Sequence, residues 1–95
     1  MPIERSQIER SLQSKGFVRD EKTNHTYFHH EVNGKKTGIS TFVSRGSSYR
    51  TYSDSLVGQI KRQLRLDNAQ TKRFLECPMN GAEYSEILKS KGLLN

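Results

Sequence analysis

The residues best suited to moving protons in this chain are its three histidines, His25, His29 and His30, and all lie between Asn24 and Val43. An imidazole takes up or releases a proton near neutral pH, so it can act as general base or general acid. The stretch around them reads as a β-hairpin. Asn33-Gly34 is its turn, because a type I′ turn needs positive φ at both central residues. A two-residue loop sets the register and pairs Phe28 with Ile39, Glu31 with Lys36, and His25 with Phe42. Alternation along the strands then puts Thr26, Phe28, His30 and Val32 on one face with Ile39, Thr41 and Val43. The other face carries His25, Tyr27, His29 and Glu31 with Lys36, Ser40 and Phe42. The first face is the more aliphatic and should meet helices, with His30 packed and hydrogen-bonded there. The second presents the His25 imidazole where a substrate can reach it. His29 is about 13 Å from His25 along the strand, a poor distance for a partner. Tyr27 lies between them, about 7 Å from each, and suits stacking a base or donating a proton.

The charge points to the kind of substrate. The net charge is +6, and the excess sits in one segment. Between Lys35 and Arg73 there are nine basic residues against two acidic ones, whereas the rest of the chain is close to neutral. Such asymmetry favours a polyanionic partner, most often nucleic acid, over a merely solubilising surface. The candidates for holding phosphate or RNA are Lys35, Lys36, Arg45, Arg50, Lys61 and Arg62, with Tyr27 as a stacking surface. Cys77 is the single cysteine, which excludes an internal disulfide and fits a reducing compartment. Cys77 and the histidines have no zinc-finger spacing. The first residues, MPIERSQIERSL, contain no apolar core of a secretory signal, and no apolar run reaches membrane-spanning length. These features predict a cytoplasmic protein.

The elements that must position these side chains follow from periodicity. Ile3, Ile8 and Leu12 predict a helix over residues 3–14, ended by Gly16 in left-handed geometry. Phe17 to Glu21 predicts a short first strand. His25–Val32 and Lys35–Ser44 form the hairpin, and residues 45–52 a polar loop anchored by Tyr49 and Tyr52. Ser53 or Asp54 is placed to cap a helix running to about Arg65, with Leu56, Val57, Ile60 and Leu64 as its buried stripe. Gly58 inside that helix costs roughly 1 kcal/mol relative to Ala and permits a close contact. A third helix over NAQTKRFLEC should stop at Pro78, and a fourth over AEYSEILKSKG should end at Gly92. The order is α-β-β-β-α over residues 1–66, with a helical C-terminal extension over 67–95. This is an α+β fold, a three-stranded antiparallel sheet with helices on one face, arranged as in the double-stranded-RNA-binding domain. Phe74, Leu75, Tyr84, Leu88, Leu93 and Leu94 must be buried on the first part of the fold, on a second copy (a homodimer) or on a partner.

Several short motifs resemble the HicA family of toxins from toxin–antitoxin systems. Gly16-Phe17 matches the glycine and aromatic that follow the family's first helix. Thr23-Asn24-His25 stands where Gly-Ser-His opens the second strand, and Phe28 and His30 match its aromatic and second histidine. Val57-Gly58-Gln59-Ile60-Lys61-Arg62-Gln63 matches the later helix. The likeness covers roughly residues 6–66. Three positions depart from it: Thr23-Asn24 replaces Gly-Ser, and Glu31 replaces a proline. The resemblance implies a sequence-relaxed ribonuclease acting on mRNA, with no metal and no cofactor, neutralised by a HicB-like antitoxin. It implies that His25 is the catalytic histidine.

That chemistry is sound from first principles. RNA carries its own nucleophile, the 2′-hydroxyl. Cleavage needs a base for that proton, an acid for the 5′-oxygen and positive charge for the phosphorane. His25 would supply the base or acid, and Lys36, Arg45 and Arg50 the charge. The alternative is a non-catalytic RNA-binding module on the same fold, gripping phosphates and 2′-hydroxyls by shape. A third reading, an adaptor using the apolar tail, predicts no affinity for RNA.

Overall fold

In the computed structural model, which describes residues 3–44, 50–76 and 79–94, the first described element is a two-residue strand, β1 (Ile3–Glu4). It leads directly into helix α1 (Arg5–Ser14). The helix therefore starts two residues later than its apolar spacing predicts. The reason is a pairing across the chain: β1 runs antiparallel to β5 (Thr51–Tyr52), with Ile3 opposite Tyr52. The Arg5 amide then donates to the Arg50 carbonyl at 2.8 Å. Tyr52 is buried, and its hydroxyl accepts from the Ser44 amide at 2.7 Å. It is thus an anchor, as expected of it; Tyr49 lies outside the described residues.

Gly16 ends α1 with φ of +90°, and a side chain there would meet the Glu31 carbonyl and the His30 ring. Strand β2 (Phe17–Glu21) follows, then β3 (His25–Val32) and β4 (Lys35–Ser44), forming an antiparallel sheet in the order β2-β3-β4. The turn between β3 and β4 has positive φ at both Asn33 and Gly34, as a type I′ turn demands.

The hairpin register departs from the expected one. Glu31 does face Lys36. Beyond it a bulge intervenes, so that Phe28 lies opposite Thr41 and His25 opposite Ser44, not Ile39 and Phe42. The cause is His30. Thr37, Gly38 and Ile39 all stand opposite this one residue, with Gly38 at φ +89°. The extra length brings Thr37 Oγ1 to 3.0 Å from His30 Nδ1, giving the buried imidazole its partner. The slip is two residues, so each side chain keeps its expected face.

Helix α2 (Asp54–Leu64), α3 (Asn68–Leu75) and α4 (Gly81–Ser90) complete the α+β fold. Ser53 stands at the N-cap of α2, but its side chain makes no capping hydrogen bond. Asp67 and Gln70 form a full capping box on α3, and Asn80 caps α4 by accepting from the Glu83 amide. Ile60 and Leu64 of α2 cover β4, and Ile8 and Leu12 of α1 join them in one core with Phe17, Phe28, Ile39 and Val43.

Phe74, Leu75, Met79, Tyr84 and Leu88 belong to the same core. The Leu75 carbonyl accepts from both Gln7 Nε2 and Ser11 Oγ at 2.9 Å, and the Tyr84 hydroxyl donates to the Leu64 carbonyl at 2.9 Å. Burial raises the Tyr84 pKa well above that of a free phenol. Leu94 is partly buried, but Leu93, expected to be buried, is exposed, as is Val32 on the inner register. Gly58 makes no close helix contact: an added methyl would meet only the Arg62 guanidinium, at 3.8 Å. The expected stop of α3 at Pro78 lies outside the described residues.

His30 sets a pH dependence. Its ring is 1% exposed, between Phe17 and Tyr84, and desolvation lowers its pKa below the usual 6.5. Below that pH the unfolded chain binds the proton and the folded chain resists it. Stability should therefore fall as pH drops through 6.5 toward the folded value. Urea midpoints taken at about pH 7.5 and about pH 5.5 should show this drop. A His30→Leu chain should lose most of the slope; an unchanged slope would assign it to other groups.

Candidate active site on the open sheet face

The helices cover one face of β2-β3-β4, so the alternating partners of the core residues are left on the other. His25, Tyr27 and His29 follow one another on β3 at every second position, each half-buried. Phe42 flanks them from β4. Its ring lies 5.0 Å from that of His25, edge to face at 85°, and 5.5 Å from that of Tyr27. The Tyr27 ring is 6.2 Å from His25 on one side and 6.2 Å from His29 on the other. Tyr27 thus separates the two histidines, as the strand spacing requires.

Strand β2 adds a group that the sequence reading did not single out. Asp20 pairs with Tyr27 in the β2–β3 ladder, and its Oδ2 lies 3.3 Å from His29 Nε2. Lys22 Nζ is 3.5 Å from the same oxygen. Partial desolvation would raise the Asp20 pKa, but the hydrogen bond with His29 and the charge of Lys22 outweigh it and hold the carboxyl below its usual range. Among the described residues, His29 is therefore the histidine that a carboxylate orients.

Asp20, Lys22, Asn24 and Lys36 surround the row of rings and make it a shallow concavity. Its rim carries Lys22 and Lys36 beside the Asp20 carboxylate, and its floor is aromatic. Lys36 is exposed on the same side, opposite Glu31. Among the described residues, no group of three or more His, Cys, Asp or Glu side chains is arranged to hold a metal ion. No helix among them is long and apolar enough to cross a membrane.

The other phosphate-binding candidates are dispersed. Lys35 stands at the hairpin tip, in a concavity shared with Ala82 and Glu86 of α4. Lys61 and Arg62 belong to α2, in the helical layer that covers the opposite face of the sheet. Lys61 Nζ there donates to Asn68 Oδ1 at 2.8 Å. Arg50 is exposed beside Glu4 and Glu9. It lies toward the His25 end of the sheet, because its carbonyl holds the Arg5 amide and the Arg5 guanidinium donates to Ser44, the partner of His25. Arg45 lies outside the described residues, as does Cys77. His25, Tyr27 and Lys36 thus line one concavity, His25 at its Ser44 end and Lys36 at the end opposite Glu31, whereas Lys35, Lys61 and Arg62 do not join them. Compared with family models, curated proteins and solved structures, the chain matches none of them.

Proposed function

We propose that this protein is a metal-independent endoribonuclease of the HicA kind, acting on mRNA in the cytoplasm and held in check by a HicB-like antitoxin. The observation that carries this reading is the open sheet face. It combines an accessible imidazole, His25, with aromatic rings that can stack bases and lysines that can hold phosphate. His25 takes the 2′-hydroxyl proton or delivers one to the departing 5′-oxygen. Arg50, toward the same Ser44 end of the sheet, supplies charge for the phosphorane, since Lys36 stands opposite Glu31, about 20 Å along β3 from His25. A single positioned acid or base contributes about 10²–10⁴-fold, so the enzyme would be slow. Slow cleavage of many messages is still toxic to a cell.

A second reading draws support from Asp20. The carboxylate orients His29, not His25, and Thr23-Asn24 precedes His25 where the family has Gly-Ser. Both features suit a face that binds RNA without cutting it. One experiment separates the two readings. Purified protein is incubated with a long unstructured RNA in EDTA. Fragments ending in 2′,3′-cyclic phosphate are expected under the first reading. Intact RNA with clear binding favours the second, and no binding at low salt removes both.

A further inference from the structure

The proton chemistry assigned to His25 leaves the other end of the ring row without a role. The rings of Tyr27 and His29 are nearly parallel, 6° apart, yet their centroids are 6.2 Å from each other. Flat rings in contact with each other sit about 3.5 Å apart face to face. One further ring placed between two others, touching both, needs about 7 Å. Side chains at alternate strand positions stand about 6.7 Å apart. At 6.2 Å the two rings stand about 0.8 Å closer than that, so the side chains must part by about this much to take one planar group between them.

Both walls are held before any ligand arrives. Asp20 fixes the His29 ring from β2 through Nε2. Phe42 lies 5.5 Å from Tyr27 on the β4 side, and its tilt of 41° braces that ring. Such walls lose little further freedom on binding. Lys22 and Lys36 stand at the rim of the same concavity. A planar ligand with negative charge on both sides of it matches this arrangement, and a nucleotide within a single strand is such a ligand. A duplex is not, because its bases are already stacked and paired.

We propose that the space between Tyr27 and His29 is a slot for one nucleobase of single-stranded RNA, with Lys22 and Lys36 on the flanking phosphates. The slot rests on the RNA reading above and extends it. It makes His29 a binding residue, and it fixes one base at a set distance from His25. Since His25 is the next ring beyond Tyr27, the bond cut is the one beside the docked nucleotide.

The test uses a fluorescent 2′-O-methyl RNA decamer, which lacks the nucleophile, and a matching decamer of abasic sugars with the same phosphates. Anisotropy should show the wild type binding the base-bearing strand about 5- to 150-fold more tightly than the abasic one. Tyr27→Leu should lose that preference and bind both strands alike, and Tyr27→Phe should keep it. Salt-dependent binding by the wild type with no preference for bases would overturn the slot and leave the RNA reading standing. The abasic comparison on the wild-type protein decides this even where Tyr27→Leu folds poorly. Binding to neither strand at low salt would overturn both.

Discussion

A chain ending at Leu66 should fail to fold. The helical extension carries five of the core side chains, Phe74, Leu75, Met79, Tyr84 and Leu88, each at most 1% exposed. Burying such side chains contributes about 1.5–3 kcal/mol each. Together they supply roughly 8–15 kcal/mol as an upper bound, comparable to the entire stability of a small domain, roughly 5–15 kcal/mol. Truncation would also strip the acceptor from Gln7 and Ser11 and leave Phe17 without Phe74 and Tyr84 around its ring. Far-UV circular dichroism and a urea titration would read the result. A cooperative transition in the shortened chain would show that residues 1–66 stand alone. The same logic in the full chain predicts about 3–5 kcal/mol lost on Phe74→Ala. That ring packs edge to face on Tyr84 at 5.0 Å and lies beneath Lys15 Nζ at 4.9 Å.

The local signals in this chain were strong where one short segment determined the outcome. Asn33-Gly34 demanded a type I′ turn, and the strand alternation put His25, Tyr27 and Lys36 on the open face. The register was not legible, because the bulge serves a tertiary need. His30 is buried, as the alternation predicts, but nothing in the strand pattern says that its partner is Thr37 across a bulge. Strands β1 and β5 escaped for another reason. Two residues carry no alternation, and their pairing joins segments far apart in sequence, Ile3 to Tyr52 and Glu4 to Thr51. The pairing of Asp20 with His29 depends on the β2–β3 register, a contact between strands, so counting along one strand missed it. The dense charge from Lys35 to Arg73 was a real feature of the sequence but not of one surface. Lys61 and Arg62 ride on the helix that covers the inner face. Charge that is contiguous in sequence need not be contiguous in space.

His25→Ala should reduce RNA cleavage by about 10²–10⁴-fold and leave RNA affinity within about twofold. The imidazole is half-buried, and the Phe42 ring meets it at 85° and 5.0 Å. Truncation there removes the proton carrier without disturbing the stacking of Tyr27 or the lysines at the rim. His29→Ala should behave in the opposite way. It removes one wall of the base slot and the partner of Asp20, so KM should rise while the chemical step is spared. Single-turnover rates at saturating enzyme, compared with anisotropy on uncleavable RNA, separate the two effects. Should His29→Ala abolish the single-turnover rate and His25→Ala leave it intact, the carboxylate-held histidine is the proton carrier and the roles must be exchanged. That exchange has a physical basis. The Asp20 carboxylate behind the His29 imidazole fixes the ring's orientation, which suits a group that hands over a proton. The proposed assignment instead rests on His25 being the ring farther from that carboxylate and nearer the Ser44–Arg5–Arg50 end of the sheet, where positive charge can meet a phosphate bound beside it.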